Sequence, residues 1–290
     1  MKSKKKQAAR RANPVVLMAP NFNLPWLVHG FSTRKGGVSN VYGKGSLNLG
    51  ITEHDTCENV ERNRELFAAA IGAKGWPMVQ LKQIHSGIVH RVTAPTKELL
   101  SGDGLITNAP ELLIGIKTAD CVPVLVVDTK KKAVGAFHAG WRGTVARIVE
   151  KGIGEMRKAY GTDPRDIRAA IGPGVHKCCY TVGEELVQAF QSQFAYAKEL
   201  FHEEYDFESL HNKYPMLFLN QRAPGHGEPA TKIQLDLIEA NRRQLLDAGV
   251  SEANITVLDG CTSCDTKRFF SHRAESGKTG RMMAAIGIKP

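Results

Sequence analysis

Three short apolar runs crowded into the middle of the chain constrain its fold more than anything else in the sequence. They span 112–116, 122–127 and 133–137, and turn or charged residues bound each of them. Runs of this length, bounded this way and rich in aliphatic residues, read as buried strands. Other strand-like stretches lie at 26–31, 167–171, 255–258 and 282–288. Helical spacing appears at 59–71, 144–160, 184–194 and 233–248, with Gly72, Gly161 and Gly249 as natural stops. A glycine-rich loop is expected at 35–50, and the Pro- and Gly-rich stretch 201–230 reads as a surface excursion. Strands and helices interspersed without a linker predict an α/β class and a single catalytic domain over 14–290.

Composition sets the outer limits. The chain has 290 residues, 42% of them hydrophobic, which is ample for a core. No stretch approaches the roughly 20 apolar residues of a membrane span, and the basic start is not followed by a long apolar segment, so a cytoplasmic protein is expected. The net charge of +10 suggests nucleic acid at first sight. Six of the positive charges, however, fall in the first eleven residues, and without them the balance is only +4. Residues 1–13 therefore read as a basic, disordered, solvated tail, with at most nonspecific nucleic-acid contact. Of the six cysteines, Cys178, Cys179, Cys261 and Cys264 read as reduced packing residues. Cys178 and Cys179 are adjacent and do not make the spaced pair usual in a zinc site.

The chemistry gathers at the edges of the apolar runs. Cys121 opens one run and His138 closes the next, 17 positions apart, while His85 follows a third apolar segment. Two imidazoles and a thiolate suit zinc, with a fourth position left open for water or substrate. The same Cys121 and His138 equally suit a metal-free hydrolase in which the thiolate attacks an amide. Copper is a rival metal, since a soft His₂Cys set also takes it. A multicopper oxidase needs histidine-rich clusters, and none of the ten histidines here forms a His-x-His pair. Asp120 beside the thiolate is a candidate proton shuttle; the alternative is a carboxylate that orients its own loop. Arg34, next to Gly36-Gly37, is a candidate phosphate-gripping residue, and Arg142 is a second. Asn48 is a candidate hydrogen-bond partner for ribose or base, or else the cap of its own turn.

The order of motifs is itself distinctive. Gly30-Phe31-Ser32-Thr33-Arg34 is followed by Leu47-Asn48-Leu49-Gly50, Gln83-Ile84-His85 and Asp103-Gly104-Leu105-Ile106-Thr107. Then come Ala119-Asp120-Cys121-Val122-Pro123, His138-Ala139-Gly140-Trp141-Arg142-Gly143, Ile171-Gly172-Pro173, Cys179-Tyr180, Cys261-Thr262, Phe269-Phe270-Ser271 and Gly280-Arg281-Met282. Over roughly 25–290 this set resembles the bacterial polyphenol oxidase or laccase-domain family, described as purine nucleoside phosphorylases with adenosine deaminase activity. The resemblance implies two packed β-sheets flanked by helices in α/β/β/α layers, like the fold of cysteine-hydrolase toxins. It implies one zinc per chain on His85, Cys121 and His138. It also implies phosphorolysis of adenosine, inosine, guanosine and methylthioadenosine, and deamination of adenosine. Purine nucleosides and phosphate are the expected partners. Ser86 and His272 depart from the family's usual residues without touching an implied ligand.

Overall fold

The structure is a computed structural model that describes residues 13–96, 98–205 and 231–290. Two mixed sheets form its centre. One has five strands in the order Val16–Leu17, Leu27–Ser32, Met282–Ile288, Leu113–Thr118, Met78–Val79. The other has six, in the order Ile255–Val257, Ile167–Ile171, Val122–Asp128, Ala133–Ala139, Gly104–Thr107, Val89–Arg91.

The apolar runs explain the layering. Side chains alternate across a strand, so a run apolar at every position has two faces to bury. Leu125 and Val127 of Val122–Asp128 face the gap between the sheets, where they meet Ile114, Ile116, Ala284 and Ile286 of the five-stranded sheet. Val122, Val124 and Val126 face the other way, into a cluster with Ile148, Ile153, Leu237 and Leu245 from two helices. Those helices are Ile148–Tyr160 and Leu237–Asp247. The outer face of the five-stranded sheet is covered by Phe67 and Ala68 of the helix Cys57–Ala70. The layers therefore run helix, sheet, sheet, helix, and the expected α/β architecture is present.

One close approach matters for the site. A Cβ on Gly152, inside the helix Ile148–Tyr160, would lie 2.2 Å from Phe137 Cζ. Glycine in a helix interior costs about 1 kcal/mol against alanine; here it lets the helix sit directly on Phe137 and fix the strand end that carries His138.

Three sequence-based boundaries are corrected. The helix expected at 144–160 is two helices, Trp141–Val145 and Ile148–Tyr160, broken at Arg147, which adopts left-handed φ 59°. No Gly or Pro marks that break. The helix expected at 233–248 starts instead at Leu237, because Thr231–Leu235 is a strand paired with Phe201–Tyr205 and Thr181–Val182. Asp236 caps the helix by accepting from the Glu239 amide, a pattern of Asp three residues before Glu that is readable in the sequence. Part of the expected 35–50 loop, Lys35–Ser39, is extended. The rest of the 201–230 excursion, from 206 onward, and the basic stretch before Asn13 lie outside the described residues. No helix among the described residues is long and apolar enough to cross a membrane.

Candidate metal centre and its cavity

One hairpin of the six-stranded sheet and the loop before Val89–Arg91 bring His85, Cys121 and His138 together. Their ligand atoms all lie within 4.8 Å of one another. Cys121 Sγ is 3.8 Å from His85 Nε2, and the two imidazole rings meet edge to face with centroids 4.9 Å apart. Cys121 and His138 come from paired strands: Val122 stands opposite Ala139 in the antiparallel register and Pro123 opposite His138. The 17-residue spacing therefore encodes a hairpin whose open end holds two ligands side by side.

A fourth residue organises the three. Asp103 is fully buried and its Oδ1 lies 2.8 Å from His138 Nδ1. That bond fixes the His138 ring and turns its other nitrogen toward Cys121, the carboxylate–histidine arrangement typical of metal sites. The same carboxylate accepts from the backbone amides of Ile84 at 3.3 Å, His85 at 3.0 Å and Ser86 at 2.6 Å, and from the Ser86 hydroxyl at 2.7 Å. This clasp holds His85 at φ 58°, a left-handed backbone costly for a non-glycine residue. Burial alone would raise the Asp103 pKa, but the His138 and Ser86 bonds outweigh it and bring the pKa to about 2. Asp103 appears in the motif set, yet nothing in its local sequence distinguishes it from a turn aspartate.

Gly140 has a steric reason. Its Cβ would fall 2.9 Å from Cys121 Sγ and 2.9 Å from His85 Cδ2, into the space between two candidate ligands. Burial opposes charge on Cys121, but the facing imidazoles of His138 and His85 lower its pKa. Burial likewise opposes charge on His138, and the Cys121 thiolate together with Asp103 raises its pKa. Two imidazoles and a thiolate so arranged fit a soft or borderline metal ion.

The three residues lie in a cavity of about 680 Å³, within the range of small-molecule sites. Its wall also carries Arg64, Lys117 and Arg281. These cations converge on Gly50: a Cβ there would meet the Arg281 side chain at 2.6 Å and Lys117 Cδ at 3.7 Å, while Arg64 Nε donates to Leu49 O at 3.1 Å. Burial and the Arg64 charge lower the Lys117 pKa to about 8.

The other candidates fall differently. Asn48 is fully buried and is not on the cavity wall. Its Oδ1 accepts from the amides of Gly50 and Arg281, and its Nδ2 donates to Asp55, so it builds the cationic corner from behind. Arg34 is also absent from the wall. Its Nη1 donates to Thr266 O, Phe269 O and Glu275, its Nη2 donates to Tyr42 O, and its guanidinium lies 4.6 Å over the Phe270 ring. So held, the Arg34 guanidinium braces the loops of Thr266, Phe269 and Tyr42 away from the cavity wall. Arg142 is exposed and stacks at 4.2 Å on Trp141, off the cavity wall. Asp120 does line the cavity, at φ 87°. Its Oδ1 accepts from the Thr262 hydroxyl at 2.7 Å and its Oδ2 from the Arg273 amide at 2.6 Å, so both oxygens are engaged in orienting loops. Sequence reasoning missed Arg64, Lys117 and Arg281 because they sit on a helix, a strand and the loop just before another strand, far apart in the chain.

With this geometry in place, comparison with known proteins is decisive for the family. A family model described as "Multi-copper polyphenol oxidoreductase laccase" matches residues 28–289. The chain belongs to that laccase-like family. It is 34% identical over 278 residues to purine nucleoside phosphorylase YlmD of Bacillus subtilis, covering 93% of this chain and 91% of that protein. It is 35% identical to a purine nucleoside phosphorylase of Deinococcus radiodurans, covering 94% and 92%. It is 32% identical to adenosine deaminase RL5 from an unknown prokaryotic organism, covering 89% and 93%. The crystal structure of YlmD from Geobacillus stearothermophilus superposes with a TM-score of 0.76 at 32% identity over 98% of both chains.

Proposed function

We propose that this laccase-like chain is a zinc-dependent purine nucleoside phosphorylase acting on adenosine, inosine, guanosine and methylthioadenosine, with adenosine deaminase activity. One observation carries the reading: a single cavity joins a His₂Cys donor set to a corner of three cations. Phosphorolysis needs both an anion site and a group that withdraws charge from the departing purine. The names of relatives at 32–35% identity support both reactions.

His85, Cys121 and His138 would hold the zinc, which when bound supplies Lewis acidity at its open fourth position. Arg64, Lys117 and Arg281 receive phosphate; guanidinium groups bind its oxygens in pairs and the lysine adds a point charge. In phosphorolysis a phosphate oxygen bonds to the ribose C1′ while the C1′–N9 bond breaks, giving ribose 1-phosphate and free base. In deamination water replaces the 6-amino group and ammonia leaves. Asp103 keeps His138 in one tautomer throughout, and Asp120 holds the loops of Thr262 and Arg273 against the cavity. The cytoplasm is the expected compartment for such nucleoside chemistry.

A second reading keeps the geometry and drops the metal. Asp103, His138 and Cys121 in series have the order of a hydrolase triad, with the carboxylate orienting the base and the base facing the thiol. A multicopper oxidase is less well supported, because the two candidate metal groups among the described residues are a His₂Cys set and a cysteine-only set. The experiment is to incubate metal-analysed protein with adenosine, with and without phosphate, and separate the products. Adenine and ribose 1-phosphate formed only with phosphate, and inosine formed in either case, are expected. No nucleoside product alongside amide hydrolysis by metal-free protein would select the triad reading.

A further inference from the structure

The four cysteines outside the cavity do not behave as packing residues. Cys178 and Cys264 are exposed, and Cys179 and Cys261 are half-buried. Their Sγ atoms nevertheless gather within 4.8 Å of one another from two loops 82 or more residues apart in the chain. Cys178 Sγ is 3.9 Å from Cys179 Sγ and 3.6 Å from Cys264 Sγ, and Cys179 and Cys264 are 3.2 Å apart. A tetrahedral zinc with bonds of about 2.3 Å sets its sulfur ligands about 3.8 Å apart, so the spacing matches one mononuclear ion. The adjacency of Cys178 and Cys179 is no obstacle, because the single turn Lys177–Cys179 swings both sulfurs to one side.

The surroundings are those of a ligand set. Backbone amides of His176, Ser263 and Cys264 are directed at Cys261 Sγ, the His176 contact being 3.4 Å. Amides aimed at a sulfur stabilise it as thiolate, the form that binds metal. The two loops are already registered at the base of the cluster: Gly174 bridges Cys261, and the Thr262 amide donates to Gly174 O at 3.0 Å.

We propose that Cys178, Cys179, Cys261 and Cys264 form a structural zinc site, separate from the His₂Cys set. Four soft donors without a fifth group make a closed tetrahedral site, which contributes stability and no chemistry. Binding displaces the thiol protons. The site staples two pieces of the cavity wall. One loop leads directly into Tyr180, which lines the cavity. The other carries Thr262, whose hydroxyl holds Asp120 beside Cys121. The inference does not depend on which reaction the cavity performs.

The test is metal counting on zinc-supplemented, reduced protein, with the Cys121→Ser background isolating the second site. Wild type should hold two zinc ions per chain, and Cys121→Ser and Cys264→Ser one each. X-ray absorption of Cys121→Ser should show an all-sulfur shell at about 2.3 Å. As a check that needs no variant, zinc should protect the exposed Cys178 and Cys264 of wild type from alkylation, and chelation should restore labelling. One zinc per chain in wild type, with both cysteines labelled equally with and without zinc, overturns the proposal. So does a Cys179–Cys264 disulfide that persists in reduced, zinc-supplemented protein.

Discussion

The two sulfur-bearing clusters of this molecule are built in opposite ways. Cys121 and His138 sit at the open end of a strand hairpin, and His85 on a loop clasped by the fully buried Asp103. Asp103 also holds the buried His138, and the three open onto a cavity. The four cysteines sit on loops, two of them exposed, held by backbone amides and by one another. The first cluster is shaped before any metal arrives, because the sheets and Asp103 fix it. The second is ordered by backbone amides, the bridge between Gly174 and Cys261 and its own sulfurs, with no buried carboxylate among the described residues behind them in the way that Asp103 backs the first. A preorganised, three-donor site keeps a position free for reaction, while a four-donor site uses every position on the fold. Changes around each cluster should therefore separate: those near the first alter function, and those near the second alter stability.

Asp103→Ala should have the largest effect. It leaves three amides and the His138 ring without their acceptor, and each buried unsatisfied donor costs about 1–3 kcal/mol. Denaturant unfolding should show a loss of about 3–5 kcal/mol, the range for breaking one side of a buried charged pair. Asp103→Asn, a milder change, should weaken zinc at the cavity by about 10–100-fold in competition titrations, with the cysteine-bound ion retained. Loss of both ions together would erase the distinction between the clusters.

Gly140→Ala is next and cleaner. The φ of −73° at Gly140 suits alanine, so the added methyl acts only through Cys121 Sγ and His85 Cδ2, each 2.9 Å away. Zinc retention at the cavity should fall with an unfolding penalty of only about 1–3 kcal/mol, as for other overpacked sites.

Lys117→Met tests the cationic corner. The KM for phosphate should rise roughly tenfold, about 1.4 kcal/mol, while deamination changes less. In wild type the same KM should climb as pH rises through about 8, where Lys117 loses its charge. Linkage runs the same way for stability. The folded-state pKa lies below the unfolded value, so the lysine weakens the fold at pH values below 8 and this penalty fades between 8 and 10.5. A flat phosphate KM across that window would remove Lys117 from the anion site.

Arg142→Ala should do least. Its exposed guanidinium stacks on Trp141, so unfolding free energy should move by at most about 0.5 kcal/mol and phosphate KM should not change.

What could be read from sequence follows the same division. Strands such as Val122–Asp128 and Ala133–Ala139 were legible because unbroken apolar runs have few other ways to be buried, and their ends delivered Cys121 and His138. The break at Arg147 was not, since a non-glycine residue in left-handed backbone carries no composition signal. Arg34 attracted attention for its glycine neighbours, yet tertiary carbonyls and Glu275 occupy it. The cavity cations Arg64, Lys117 and Arg281 meet only when the helix Cys57–Ala70 packs against the five-stranded sheet. The gathering of the four cysteines was not legible for a similar reason: Cys178 and Cys179 are adjacent in sequence, and their loop meets that of Cys261 and Cys264 only in the fold.

The most direct test of the central claim compares Cys121→Ser with Cys264→Ser, each with its zinc content measured, for phosphate-dependent release of adenine from adenosine. The two-cluster account predicts that Cys121→Ser loses the cavity ion and at least about 10³-fold in kcat/KM, a deficit of about 4 kcal/mol in transition-state stabilisation, while staying folded. Cys264→Ser should keep turnover within a few fold and lose thermal stability instead. Full adenosine cleavage by folded Cys121→Ser protein lacking the cavity ion would contradict it.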